Sequence, residues 1–151
     1  MNLRAFLVRN KVQFEFLDKR ATHHALEASQ ISGIPLQEIV KTIVFVNQDL
    51  KPLIAVVRAD RNISRHKLQR SSASKSVRLA PNYIAEAATG YRIGGIPPVG
   101  HKKKVPVFLD EEVLSHNYVW CGGGARSKLV RLRTEDIVNL SAPTVCDISI
   151  D

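Results

Sequence analysis

The chain has 151 residues, and 22 lysines and arginines against 14 aspartates and glutamates give it a net charge of +8. This length fits one domain with a sizeable core, and no apolar run reaches the roughly eighteen residues of a transmembrane helix. The start lacks a signal-peptide core, and the two cysteines fit neither a disulfide framework nor a metal site. We expect a single cytoplasmic domain over residues 1–151 with no metal or cofactor, and the charge favours nucleic acid over a membrane as partner.

In the first half of the chain, apolar spacing and turn residues define helices and a hairpin. Helices are predicted at Leu3–Asn10, Ala21–Ile31 and Ile63–Gln69, a helical turn after Pro35, and strands at Val12–Phe16, Val40–Val46 and Leu53–Val57. Thr22 is the expected N-cap of the second helix and Gly33 its stop. The last two strands are apolar and joined by a short turn, so they predict a buried hairpin.

The second half alternates short strands with helices. Strands are predicted at Val77–Leu79, Val105–Leu109, Tyr118–Trp120 and Lys128–Leu132, helices at Pro81–Thr89 and from Thr134, and an acidic helical turn at Asp110–Leu114. Pro106 suggests that its strand is an edge or carries a bulge. Roughly seven strands and several helices predict an α+β fold with a mixed sheet that is closed or strongly curved.

Residues 90–100 contain four glycines and the pair Pro97-Pro98. Glycine allows close approach to the backbone, whereas proline is stiff, so together they can hold N–H groups outward. Such a loop can bind an oxyanion or a phosphate. The alternative is a surface turn that leads into a basic strand. His101 follows the loop directly and is the one histidine kept as a candidate site residue.

Three further features are open to a functional or a structural interpretation. Lys41 begins an apolar strand, where a lysine either reaches the surface or is held in a pocket. Gly122–Gly124 follow a strand and indicate either close backbone approach or a flexible turn. Cys121 has no evident base partner, so a structural thiol is favoured over a nucleophile. The basic clusters at 58–70 and 102–104 can contact phosphates or simply face solvent.

Taken in order, these motifs resemble the YbaK/EbsC family, the prolyl-tRNA-synthetase-insertion-like aminoacyl-tRNA deacylases. The matching residues are Val40-Lys41-Thr42, Gly90-Tyr91, the run from Gly94 to Lys103, and the late glycine turn. The resemblance extends from about Leu3 to Leu140. It implies a curved, mixed, mostly antiparallel sheet, barrel-like and flanked by helices, and hydrolysis of the ester on a mischarged tRNA without a cofactor or metal.

The resemblance also implies site residues. The family's lysine falls on Lys41, and its GxxxP loop runs from Gly94 to Pro98. We expect Lys41, Gly94 and Gly95 to be catalytic, with Lys41 on the phosphate or ribose of the terminal adenosine and backbone amides facing the ester carbonyl. Residues expected to bind substrate are Thr42, Ile96, Pro97, Pro98, Gly100, His101, Gly122 and Gly123. Either water or the substrate's own side chain attacks the ester.

Departures from the family pattern leave the amino acid open between the Cys-tRNA(Pro) and Ala-tRNA(Pro) types. Thr42 stands where alanine-specific members usually have asparagine, Pro97 replaces a common serine, and the segment Phe16–Lys19 lacks a tyrosine found in cysteine-specific members. The expected partners are the tRNA acceptor end and prolyl-tRNA synthetase. The alternative is a non-catalytic tRNA- or nucleotide-binding module. A DNA-binding protein is disfavoured because the basic helix has no partner helix.

Overall fold

The computed structural model describes residues 1–22 and 24–151. The helices of these residues are α1 (Leu3–Arg9), α2 (Ala25–Ser32), α3 (Arg65–Ser71), α4 (Asn82–Thr89) and α5 (Thr134–Ser141), with 3₁₀ turns at Leu36–Glu38 and Glu111–Ser115. The strands are β1 (Phe14–Asp18), β2 (Val40–Asn47), β3 (Pro52–Arg58), β4 (Asn62–Ile63), β5 (Val77–Leu79), β6 (Val107–Asp110), β7 (Tyr118–Gly122), β8 (Lys128–Arg133), β9 (Thr144–Cys146) and β10 (Ser149–Ile150). Within those two ranges no helix has the length and apolar character needed to cross a membrane.

The strands form three sheets, ordered β5-β2-β3-β6-β9, β1-β8-β7 and β10-β4. The predicted buried hairpin is present as β2 and β3, which pair from Val40–Arg58 to Val46–Pro52. Only β6 pairs in parallel with its neighbours β3 and β9, so the described sheets are mixed and mostly antiparallel. An isolated bridge from Ile39 to Trp120 links the two larger sheets. The α+β fold is confirmed, although the described strands do not close into a barrel.

Strand alternation divides the core into two clusters, one on each face of the β2–β3 hairpin. Val44 and Val56 face the three-stranded sheet and pack with Val119 and Val130. Phe45 faces the other way, into a smaller cluster that includes residues of α3 and of the segment near the C-terminus. Adjacent residues of β2 therefore point to different parts of the molecule, which matters for the site.

Helix positions were predicted better than their starts. Gly33 ends α2 in the left-handed conformation (φ +76°), as predicted. The prediction that Thr22 is the N-cap of this helix was wrong: the N-cap is His24, and the Thr22 hydroxyl instead accepts a hydrogen bond from Lys19. His23, which lies in the predicted helix Ala21–Ile31, is outside the described residues. The basic helix α3 begins at Arg65, because Ser64 caps it by accepting from the Lys67 amide.

Two strand predictions need correction. The first strand begins at Phe14 rather than Val12, since the Val12 amide still bonds to the Leu7 carbonyl at the end of α1. Pro106 does not mark an edge strand. It precedes β6, which has neighbours on both sides, and its carbonyl accepts from the Ile54 amide at 2.9 Å. The short strands β4, β9 and β10 were not predicted.

Candidate functional site

A cavity of about 330 Å³ opens along one side of β2. On its other side β2 pairs with β3 over residues 40–46, whereas here it meets β5 only from Phe45 onward. Between that pairing and the bridge at Ile39, no described strand bonds to this side of β2. The gap is bordered by α2, the start of α4, the glycine loop and the end of β7. A sheet edge that is open beside a cavity leaves main-chain groups of the strand accessible to a ligand.

The structure describes every predicted site residue and places about half of them in the cavity wall. The predicted residues that line the cavity are Lys41, Thr42, Gly94, Ile96 and Gly122. Those that do not line it are Gly95, Pro97, Pro98, Gly100, His101 and Gly123. The first group combines the strand edge with the inner side of both glycine turns. Most of the second group lies in the same loops, one layer further from the cavity.

Lys41 lines the cavity, but its amine is already engaged. It pairs with Val57, which belongs to the smaller cluster, and its Nζ donates to the Arg61 carbonyl oxygen at 2.7 Å. Burial lowers the pKa of the Lys41 amine, and the Asp60 carboxylate opposes this shift. Asp60 is itself held by Arg58 at 2.6 Å. The ammonium group is thus oriented by a carbonyl in the β3–β4 turn.

Thr42 presents the opposite case, a polar group with no partner. It pairs with Val56 and shares the larger cluster's face of β2. Thr42 lines the cavity, and its Oγ1 is buried and has no hydrogen-bond partner in the described residues. An unsatisfied buried hydroxyl is costly. A bound molecule that hydrogen-bonds to Thr42 removes that cost.

The two glycine loops pack main chain against main chain. A Cβ on Gly95 would lie 2.5 Å from the Ala125 backbone, and one on Gly122 would lie 2.5 Å from the Ile96 carbonyl oxygen. The Gly124 amide donates to the Gly95 carbonyl at 2.8 Å. Glycine is therefore required here for the contact between loops, in addition to any approach by a ligand.

Gly94 and Gly95 differ in what they offer the cavity. Gly94 lines it with φ +93°, a left-handed conformation that favours glycine. The Gly95 N–H donates to the Arg92 carbonyl at 3.2 Å and so closes the turn. The Gly95 N–H is therefore less suited than the Gly94 N–H to face an ester carbonyl, because it already has an acceptor.

His101 supports the loop from behind. Its Nε2 lies 2.7 Å from the Pro97 carbonyl oxygen, which can only accept, so this nitrogen carries the proton. Burial lowers the pKa of His101, partly offset by this hydrogen bond. A role in holding the glycine-proline loop fits this geometry better than direct substrate contact.

Sequence reasoning missed a cluster of lysine and histidine residues on another part of the cavity wall. Lys19, His24 and Lys128 line it, as does Thr22. The Lys19 Nζ donates to Thr22 Oγ1 at 2.7 Å, and burial lowers the pKa of its amine. Lys128 forms an ion pair with Asp18 at 2.7 Å. Lys19 and Lys128 come close together because β1 pairs with β8, and no local sequence motif predicts that pairing.

The cavity as a whole suits an anionic ligand with an apolar portion. None of the described residues that line it is acidic, whereas four carry an amine or imidazole. Aliphatic side chains from β2, α2 and the glycine loop form much of the remaining wall. Cys121, the possible nucleophile, is fully buried next to the cavity, and burial raises the pKa of its thiol. It is therefore a structural thiol.

Comparison with known proteins agrees with this arrangement. A family model described as an aminoacyl-tRNA editing domain matches residues 19–140. EbsC of Enterococcus faecalis, a proposed Cys-tRNA(Pro)/Cys-tRNA(Cys) deacylase, is 29% identical over 91% of this chain and 84% of its own length. A crystal structure of a proposed trans-editing enzyme for prolyl-tRNA synthetase superposes with a TM-score of 0.81 at 30% identity, covering 91% of this chain and 87% of that one.

Other relatives are much longer. Proline–tRNA ligase of Nitratidesulfovibrio vulgaris Hildenborough is 37% identical over 60% of this chain, but the match spans only 16% of the ligase. The resemblance drawn from the lysine and glycine-proline motifs is confirmed by the family model, EbsC and the trans-editing structure. The chain belongs to the aminoacyl-tRNA editing domain family, within its YbaK/EbsC branch.

Proposed function

We propose that this protein is an aminoacyl-tRNA deacylase that acts in trans and hydrolyses the ester of a mischarged tRNA. One observation carries the proposal: a single cavity is lined by Lys41, Thr42 and Gly94. Family membership and the descriptions of EbsC and the trans-editing structure support it. We further propose that residues 1–151 act as one editing domain.

The chemistry asks little of the protein, because an aminoacyl ester is already activated. Water adds to the ester carbonyl, and the Gly94 amide stabilises the negative charge that develops on oxygen. The intermediate collapses as the bond to the ribose oxygen breaks, and that oxygen takes up the proton released by the water. Lys41 exchanges the Arg61 carbonyl for the phosphate or ribose of the terminal adenosine, and Thr42 hydrogen-bonds to the substrate. In a cysteinyl ester the substrate thiol can replace water as nucleophile.

The cavity favours an amino acid with an apolar, uncharged side chain. Its aliphatic walls accept an apolar side chain, and its amines repel a cationic one. Cysteine and alanine both satisfy these conditions, so the substrate is of the Cys-tRNA(Pro) or Ala-tRNA(Pro) type. The partners we propose are the acceptor end of tRNA and, through the relationship to synthetase editing domains, prolyl-tRNA synthetase.

A non-catalytic tRNA- or nucleotide-binding module is the second candidate. It is favoured by one observation, namely that the amine of Lys41 is already bound to a main-chain carbonyl. A pocket of this kind can hold a 3′ end without breaking its ester. Both candidates bind the 3′ end of tRNA, but only the deacylase cleaves the ester.

A panel of charged tRNAs incubated with the purified protein separates them. We expect release of cysteine or alanine from tRNA(Pro), at a rate well above spontaneous hydrolysis and above that of correctly charged Pro-tRNA(Pro). Tight binding of these tRNAs without faster release of any amino acid would instead establish the binding module. The same tRNAs incubated without protein provide the background rate.

A further inference from the structure

One rim of the cavity carries apolar side chains that the protein leaves exposed. Leu79, Tyr83 and Ile93, here called the Tyr83 rim, are 54%, 72% and 38% exposed. Leu79 and Ile93 also line the cavity, as does Asn82, the chain neighbour of Tyr83. Among the large hydrophobic side chains of residues 1–22 and 24–151, Tyr83 is the most exposed. The rim is therefore continuous with the candidate site.

The Tyr83 rim is built on an ordered support. Tyr83 and Glu86 lie three residues apart on α4, so they share a helix face. The Glu86 carboxylate accepts a hydrogen bond from the Ile93 amide at 3.1 Å. This bond fastens the turn that holds Ile93 to the face of α4 that presents Tyr83. The helix that carries Tyr83 and the turn that carries Ile93 are thus joined beside the cavity mouth.

The charge around the rim points to its occupant. Arg92 is exposed and directly precedes Ile93 in the turn, whereas Arg78 is exposed on the opposite face of β5 from Leu79. The ring of Tyr83 has no aromatic or cation–π contact in residues 1–22 and 24–151, whereas Tyr118 lies 4.2 Å from the Arg131 guanidinium. Proteins commonly hold single-stranded nucleic acid with exposed aromatic rings on a positively charged surface.

We propose that the Tyr83 rim is a stacking surface for the single-stranded nucleotides that precede the terminal adenosine of tRNA. The inference rests on the proposed function, because an ester bound in the cavity requires the rest of the 3′ end to leave across its mouth. Tyr83 stacks on a base of that segment, Leu79 and Ile93 pack beside it, and Arg92 neutralises a neighbouring phosphate. The surface reads shape and charge with little sequence preference.

The test compares a short substrate with a long one. Aminoacyl-adenosine ends before the rim, whereas aminoacyl-tRNA extends across it. For Tyr83→Ala we expect a rise in KM for aminoacyl-tRNA of about tenfold, the effect of one lost base–aromatic stack. We expect kcat to stay the same and the hydrolysis of aminoacyl-adenosine to be unaffected. Tyr83→Phe keeps the stacking face and should behave as the unaltered protein, as should the control Tyr118→Ala.

A second readout does not depend on catalysis. Binding of an uncharged oligoribonucleotide ending in CCA should weaken about tenfold in Tyr83→Ala and not in Tyr83→Phe or Tyr118→Ala. If no ester is cleaved but this difference in binding is seen, the proposed function fails and the stacking surface stands. Equal binding by all variants overturns the surface, as does an equal loss with aminoacyl-adenosine. A loss that appears only when prolyl-tRNA synthetase is present also overturns it, since the rim would then dock a protein.

Discussion

At the scale of single residues, the glycines where the two loops meet are needed both for packing and for the shape of the cavity. Gly95 and Gly122 admit main-chain contacts that a methyl group would block, and the same contacts place Gly94 and Ile96 at the cavity. Function and packing thus act on the same positions. A substitution there changes stability and the cavity together.

Gly95→Ala tests this coupling. The new Cβ would meet the Ala125 backbone at 2.5 Å, so the loops must separate. We expect a loss of about 1–3 kcal/mol in the free energy of unfolding, measured with urea, and a large fall in deacylation. Gly33→Ala is the control, because its Cβ meets nothing within 4 Å. It should cost about 1 kcal/mol through its left-handed backbone and leave deacylation intact. Normal activity in Gly95→Ala would contradict the loop contact.

His101 predicts a pH dependence of stability. Burial lowers its pKa in the folded protein, so as the pH falls the unfolded chain binds a proton first. Stability should be full above the ordinary imidazole pKa and decline as the pH falls from there toward the folded pKa. His101→Gln keeps an N–H donor for Pro97 and removes the titration, so urea unfolding from pH 5 to 8 should show a flatter acid limb. An acid limb as steep in His101→Gln as in the unaltered protein would contradict this role of His101.

At the scale of elements, the C-terminal strand β10 closes the smaller cluster near Lys41. Ser149 donates to the buried Asp110 carboxylate at 2.9 Å and accepts from Arg61 Nε at 3.1 Å. The carbonyl of that same Arg61 binds the Lys41 amine. A chain of hydrogen bonds therefore runs from a buried carboxylate to the candidate catalytic lysine.

Ser149→Ala breaks this chain at its centre. Asp110 loses its hydroxyl donor while it stays buried, so we expect the free energy of unfolding to fall by about 1–3 kcal/mol. Asp151→Asn is the matched control, since it alters only the exposed carboxylate that pairs with Arg61 and should cost little. Thermal unfolding of both variants checks this. Equal melting temperatures would show that the Ser149 hydroxyl does not stabilise the fold.

The sequence predicted elements wherever the signal was local. The β2–β3 hairpin was predicted from contiguous apolar runs, and the end of α2 was predicted from Gly33. The prediction of Thr22 as a helix N-cap was wrong, because its hydroxyl accepts a hydrogen bond from Lys19 and makes none to the helix. The short strands β9 and β10 carry too few residues for a periodic pattern and exist through pairing with distant partners.

The same distinction applies to the candidate site. Lys41, Thr42 and Gly94 lie in motifs that are continuous in sequence, and all three line the cavity. Lys19 and Lys128 reach it only because β1 pairs with β8 across more than a hundred residues. A single sequence contains no sign of that register. The partner of the Lys41 amine, a main-chain carbonyl at Arg61, is equally invisible to side-chain patterns.

At the scale of the whole molecule, the net charge of +8 should make tRNA binding depend on salt. Phosphate contacts release counterions, so log Kd should rise linearly with log salt concentration. Arg92→Gln, beside the cavity lip, should lower this slope by about one. Lys51→Gln lies in the turn at the far end of the β2–β3 hairpin and should leave it unchanged. Binding titrations from 50 to 200 mM salt measure both slopes. A lower slope for Lys51→Gln together with an unchanged slope for Arg92→Gln would show that tRNA does not bind beside the cavity lip.

The central claim is that the cavity along β2 breaks the aminoacyl ester with Lys41 positioned at the 3′ end of the substrate. Lys41→Ala, assayed on the mischarged tRNA that the unaltered protein cleaves best, tests it most directly. The account predicts that deacylation falls to the spontaneous rate, while circular dichroism and urea unfolding show an intact fold. Full activity in a folded Lys41→Ala protein would remove this lysine, and with it the proposed site, from the reaction.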